Sequence, residues 1–452
     1  MSRQECLEKL RQDAFRIWHA GVEAVFAARL IEKHVSVERT ELRIGPWSFS
    51  LNKIRRIAVV GGGKASAAMA EAIEKKFDAD FLGQNRLFGW VNVPADCVRP
   101  LQAIHLHPAR TSGQNEPTAA AAEGAERILQ LVNDLEPEDL CLCVISGGAS
   151  ALLPAPIPPI TLEDKLQVTR LLSAAGATIE QLNLVRKQIS RIKGGGLARS
   201  CRAGVLIGLI LSDVLGDSLA TIGSGPTVIE TAHRRKALEV FRQLGLKPPQ
   251  VPQRVWDFLA EPERQIPAPP QCEVRNLLIG NLKLAVEEAQ KEAVRLGYDP
   301  VVELAASSEP TAEEVASQLV HKMLRMHRGG KGDCIISGGE PVVRLISPAL
   351  RGKGGRNQQL VLAALCQLMH EPMGPFVFLS AGTDGEDGPT DAAGAWFDSD
   401  TPARVAALSL DPTAFLRRND AYHFFDKLGN LIKTGFTETN VGDLRVIVTA
   451  KE

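Results

Sequence analysis

RRIAVVGGGKASAAMAEAI, residues 55–73, holds the reading on which the fold turns. An apolar run, Ile57 to Val60, enters three glycines, Gly61, Gly62 and Gly63, then Lys64, and an alanine-rich stretch with helical composition follows. Strand, tight turn and helix in that order make half of a βαβ unit, so a parallel sheet is expected. Glycines admit close backbone approach, and N–H groups at a helix start favour phosphate or carboxylate, to which Lys64 adds a full positive charge. The stretch is not a Walker A loop, because Ala58 stands where the first glycine belongs and Ala65 replaces the magnesium-binding Ser or Thr. It also departs from the dinucleotide fingerprint, since Ser66 takes the third glycine's place and no acid ends an obvious second strand. An anion-binding loop and a merely tight strand-to-helix turn both remain open.

Outward from this stretch the alternation recurs. Leu87 to Val93, Leu140 to Ile145 and Val205 to Leu211 are further apolar runs, short enough for buried parallel strands. Gln4 to Lys33 spaces its apolar residues at helical intervals and reads as an amphipathic helix or helix pair. Between Leu244 and Glu273 the chain turns proline-rich, with KPPQVPQ and IPAPPQ, which disfavours a continuous sheet. A linker over residues 251–273 is therefore expected, with one α/β domain over 1–250 and a second over 274–452. The second would hold Val274 to Ile279, Cys334 to Ile336, Phe376 to Leu379 and Leu444 to Val448 as strands, with Ala312 to Met326 helical.

Composition narrows the class. The chain has 452 residues, more than one hydrophobic core usually serves, so two domains are expected. Its 52 basic and 53 acidic side chains nearly cancel, which leaves no global field for nucleic acid or an anionic membrane. The opening MSRQECLEKLRQDAFRIWHA lacks the apolar centre of a signal peptide, and a soluble, cytoplasmic protein, monomeric or homodimeric, is expected. Of eight cysteines only Cys141 and Cys143 lie close, two apart on one strand face, as buried thiols would.

Other motifs carry candidate chemistry. ISGGASALLPAP, residues 145–156, offers Ser146, Gly147, Gly148 and Ser150 as an oxyanion cradle, without the pattern of a nucleophile elbow. In LVRKQISRIKGGGLA, residues 184–198, Arg191 and Lys193 precede Gly194 and Gly195, where they would meet a carboxylate or phosphate. LILSDVLGDSLATIGSGPT, residues 209–227, ends an apolar run at Asp213, which suits magnesium or a hydroxyl proton, with helix capping the competing role. ISGGEPVVRL, residues 336–345, supplies Gly338, Gly339 and Glu340, and RGKGGRNQQLVLAAL, residues 351–365, places Arg356 and Asn357 at a helix start. A guanidinium there opposes the helix dipole unless something compensates, and it suits the charge of a transferring phosphoryl group. FLSAGTDGEDGPTDAAGAWFD, residues 378–398, gathers acids after a strand, with Asp384 nearest its end. His105 and His107 alternate on a strand, with no third zinc ligand evident.

Taken in order, GGGKA, SGGASALL, RIKGGGLA, LSDVLGDSLATIGSGPT, SGGEP, GGRNQ and AGTDGEDGPTDAAGA resemble the glycerate 2-kinase family with its carboxyl-terminal MOFRL region, from about residue 8 to the end. The resemblance implies a Rossmann-like parallel-sheet N-terminal domain, a distinct second α/β domain and an active cleft between them. It implies ATP- and magnesium-dependent conversion of D-glycerate to 2-phosphoglycerate, with the functional lysine at Lys64 and the functional arginine at Arg356. Nucleotide and substrate contacts then fall on the glycine loops named above, with Asp213 and Asp384 as candidate base or metal ligands. One departure is that His107 and Pro108 lead into ARTSGQNEP in place of a short acidic turn. The alternatives are an NAD(P)H-dependent hydroxypyruvate reductase and a non-catalytic sugar-acid-binding protein.

Overall fold

A computed structural model describes residues 2–111, 116–231, 233–261, 269–329 and 331–450. Part of ARTSGQNEP, at 112–115, and part of the expected linker, at 262–268, lie outside the described residues. The chain divides into two compact units. The first comprises Leu30–Ser212 and Asp217–Ile279, and the second Met1–Arg29, Asp213–Gly216 and Gly280–Glu452.

The first unit is built on a six-stranded sheet in the order Ile104–Arg110, Leu87–Pro94, Ile57–Gly62, Leu140–Ile145, Val205–Leu211, Glu273–Gly280. The first five are parallel in every pairing, and Ile57–Gly62 and Leu140–Ile145 are buried throughout. Continuous burial explains why these strands read as unbroken apolar runs. In chain order the sheet runs three-two-one-four-five-six, so the direction of winding reverses between Ile57–Gly62 and Leu140–Ile145. Ligands of open α/β sheets bind outside the carboxyl ends of strands at such a reversal. A small antiparallel meander, Val35–Glu38, Glu41–Ile44 and Trp47–Ser50, precedes the sheet. A separate apolar cluster joins Val168 and Leu172 on one helix with Val185, Phe241 and Val255 on three others.

The second unit has a mixed sheet in the order Pro300–Leu304, Cys334–Gly339, Asp443–Thr449, Phe376–Gly382, Gly394–Asp398, Leu431–Ile432. Cys334–Gly339 and Phe376–Gly382 both run antiparallel to Asp443–Thr449 between them. The helices Ala312–His327 and Arg356–Leu368 pack through Leu319, Met323, Leu360 and Ala364 into one core with Phe378, Phe397 and Ile447.

The boundaries differ from the sequence expectation at two places. Glu273–Gly280, expected to open the second domain, is the edge strand of the first sheet. The proline-rich segment is no simple linker either, since it contains the helix Gln253–Ala260 packed in the first unit. At the other end, the helix Arg3–Ala24 belongs to the second unit, where Leu7, Leu10, Ala14, Ile17, Trp18 and Val22 are buried. A Cβ on Gly21 would lie 2.6 Å from the carbonyl oxygen of Ala285, so glycine permits close approach to the helix Leu282–Arg295. Helical periodicity announces an apolar stripe but not which core the stripe will cover. Among the described residues no helix is long and apolar enough to cross a membrane.

Candidate functional site

The glycine run in the first unit is shaped by its neighbours. Gly61 (φ +138°) and Gly63 (φ +153°) hold a backbone conformation that side chains rarely adopt. A Cβ on Gly61 would lie 2.0 Å from the carbonyl oxygen of Val144, and one on Gly63 2.1 Å from Ser146 Oγ. The loop after Ile57–Gly62 is thus pressed onto the loop after Leu140–Ile145. Hydrogen bonds join the two: the amide of Lys64 donates to the Gly147 carbonyl at 2.8 Å, and that of Ala65 donates to Ser146 Oγ at 2.9 Å. The amide of Gly63 donates to the Asn92 carbonyl at 3.3 Å, and Gly62 is buried within the strand. The amides of Gly63, Lys64 and Ala65, in the loop expected to cradle an anion, are thus taken by Asn92, Gly147 and Ser146. Cationic side chains stand beside the loop. A Cβ on Gly148 would lie 3.5 Å from both Lys64 Cγ and Arg110 Nη2, so two cationic side chains flank that glycine at the reversal point of the sheet.

On the far side of the same turn, Ser150 Oγ accepts from Arg186 Nη2 and from Lys193 Nζ, each at 2.7 Å. Lys193 is 2% exposed and donates also to the carbonyls of Ser150 at 3.2 Å and Gly223 at 3.3 Å. Burial, reinforced by Arg186, Lys165 and Lys187, drives its pKa well below that of an ordinary lysine. Arg191 is paired with Glu126, so its charge is already matched. The amides of Gly194 and Gly195 donate to the carbonyls of Ser224 at 2.9 Å and Gly225 at 2.7 Å. Those glycines join loops rather than present amides outward.

In the second unit the antiparallel register sets Gly339 and Gly382 opposite Asp443, which gathers Glu340 and Asp384 near that carboxylate. Arg356 opens its helix and grips Asp443 with a fork, Nε to Oδ2 at 2.7 Å and Nη2 to Oδ1 at 3.0 Å. Its Nη1 donates to Glu340 Oε1 at 2.6 Å. Burial opposes the guanidinium's charge, but Asp443 and Glu340 outweigh it and hold the group protonated. The compensation that a cation at a helix start requires is thus supplied by carboxylates of the protein itself. Asp387 caps the same helix, accepting from the amides of Asn357 at 3.0 Å and Gln358 at 2.8 Å. Burial pushes Asp387 up to about 7 despite those donors. Asn357 is fully buried and accepts from Ser380 Oγ at 2.6 Å, so it anchors the helix and does not face outward. Gly338 and Gly339 are buried, and a Cβ on Gly339 would strike the Glu309 carboxylate that holds Arg445.

Asp384 is half-buried and accepts from the Glu386 amide at 3.1 Å. Asp213 lies in the stretch Asp213–Gly216 that belongs to the second unit. Among the described residues no group of three or more His, Cys, Asp or Glu side chains is arranged to hold a metal. Sequence reasoning passed over Arg110 and Asp443, and saw Arg186 and Asp387 only as members of a basic and an acidic group without selecting them. Asp443 offers one faint signal, an acid opening a strand whose centre, Val446 to Val448, is apolar; Arg186 sits among other basic residues, with nothing in its spacing to single it out.

Comparison with known proteins places these features in a family. Residues 13–260 match the model of a domain of unknown function, DUF4147, and residues 333–443 match the MOFRL family. The chain is 36% identical to a glycerate kinase of Homo sapiens, covering 97% of this chain and 93% of that protein. It is 32% identical to a D-glycerate 2-kinase of Thermotoga maritima, covering 97% and 98%. A crystal structure of glycerate kinase from Thermotoga maritima superposes with a TM-score of 0.81 at 31% identity, covering 98% of this chain and 100% of that one.

Proposed function

This chain belongs to the MOFRL-containing glycerate kinase family, and we propose from that premise that it transfers the terminal phosphoryl group of ATP to the 2-hydroxyl of D-glycerate, giving 2-phosphoglycerate and ADP. The observation that carries the reading to particular residues is the pair of cations, Lys64 and Arg110, flanking Gly148 where the parallel sheet reverses. Phosphoryl transfer asks a protein for positioning and charge neutralisation more than for a covalent nucleophile. Lys64 is assigned to the phosphoryl oxygens. Arg356 is assigned a phosphate-neutralising role of its own; among the described residues three of its five N–H groups are engaged, by Asp443 and Glu340.

Magnesium in phosphotransferases takes one or two carboxylates and completes its shell with phosphate oxygens and water. The sparse set of Asp384 and Glu340, with Asp213 as the other candidate, fits that demand, whereas it would not make an all-protein cage. When bound, the ion would neutralise phosphate charge. Asp384 or Asp213 would take the proton released from the attacking hydroxyl. A cytoplasmic enzyme, monomeric or homodimeric, goes with this reading, supported by balanced charge and eight free cysteines.

The test is ADP release from ATP, magnesium and D-glycerate, with phosphorus NMR of the product. Phosphorylation at the 2-position supports the reading. No ADP release with D-glycerate, or oxidation of NADH by hydroxypyruvate in its place, sinks it.

A further inference from the structure

Beside the turn that carries Ser150, the first unit gathers Lys165, Arg186 and Lys193. Lys165, on the helix Leu162–Ala174, is only 4% exposed, and its Nζ has no hydrogen-bond partner among the described residues. Arg186, near the end of the helix Ile179–Gln188, and Lys193 both donate to Ser150 Oγ. That hydroxyl lies 2.9 Å from Ser224 Oγ, which donates to Asn183 Oδ1 at 3.2 Å. Among the described residues no ion pair joins Lys165, Arg186 or Lys193 to a carboxylate.

Burying like charges without a counter-ion is unfavourable by several kcal/mol, so such a cluster is rare without a ligand to complete it. We propose that Arg186 and Lys193, which meet at Ser150, form with the neighbouring Lys165 a binding site for a substrate oxyanion. The chemistry is that of a carboxylate or a phosphate, and under the kinase reading, on which the ligand's identity rests, it comes from the hydroxy acid or from the nucleotide. Burial and the neighbouring Arg186 push Lys165 down to about 7, so an arriving anion would favour its charged form. Of the three, Lys193 also lines a pocket of about 340 Å³, together with Arg191, Arg199, Arg234 and the ion-paired Lys187 and Glu230.

The decisive comparison is calorimetric binding of D-glycerate, ATP and inorganic phosphate to the full-length protein and to its Lys165→Met and Arg186→Gln variants. Removing an unpartnered buried ammonium should leave the melting temperature of Lys165→Met unchanged or raised, while binding of at least one probe weakens by about fivefold or more. Weakened D-glycerate identifies the acceptor's carboxylate as the occupant, and weakened ATP identifies a phosphate. Lys165→Arg, which keeps the charge, should retain binding. If neither variant weakens any probe by that factor, the site is overturned. Because inorganic phosphate is scored without turnover, a wild-type protein that releases no ADP would fail the kinase reading while leaving this comparison intact.

Discussion

Lys64 stands next to Arg110 across Gly148, and its proposed contribution is charge placed where the sheet reverses. Lys64→Ala should therefore keep the fold and lower kcat by about two to three orders of magnitude, as loss of one transition-state donor does. A steady-state assay returning wild-type kcat would remove this lysine from the reaction. Asp443 makes a different claim, because it is buried and carries both fork bonds from Arg356. Asp443→Ala leaves that guanidinium with Glu340 alone, and chemical denaturation should record a loss of about 1–3 kcal/mol. Asp387 sets a pH dependence. Its ordinary value is 3.8 and burial lifts it to about 7, so between these values the folded chain keeps a proton that the unfolded chain releases. From this group, stability declines as pH rises through that window and levels off above it. Urea melts across the window should show a flatter profile for Asp387→Asn.

At the scale of elements, the central strands of the first sheet and the helices Arg3–Ala24 and Ala312–His327 were plain in the sequence, whereas the meander over 35–50 and the strands Pro300–Leu304 and Gly394–Asp398 were not. Leu140–Ile145 and Val205–Leu211 begin and end where their apolar runs do, because strands buried on both faces leave no polar interruption. The reason for the glycines was not legible. Gly61 and Gly63 read as places for a ligand's oxygens, yet Val144 and Ser146 take that space, and such a neighbour lies about eighty residues away in the chain. The loop cations were visible as charges, but Arg191 meets Glu126 and Lys193 turns inward, choices made by tertiary packing. The helix Arg3–Ala24 illustrates the same limit, and its membership can be tested. Ile17→Ala should cost about 2–5 kcal/mol and speed amide exchange in Asp443–Thr449 while Ile57–Gly62 keeps its protection. Equal loosening of both strands would refute the assignment of this helix to the second unit.

For the whole molecule, the two units contribute one proposed charged group each, Lys64 from the first and Arg356 from the second. If both serve a single transfer, Lys64→Ala and Arg356→Ala should be strongly non-additive, the double variant losing far less than the product of the single losses. Fully multiplicative losses would mean that they act independently. The order of the chain has a consequence for synthesis as well. The helix Arg3–Ala24 leaves the ribosome roughly 250 residues before the Leu282–Arg295 helix and the strands it covers, which at ordinary elongation rates is on the order of tens of seconds. Throughout that interval Leu7, Leu10, Ile17 and Trp18 have no finished core to enter. The nascent chain therefore needs a holding partner or a transient refuge for its own first segment, and a stalled or truncated message yields a product with that stripe uncovered.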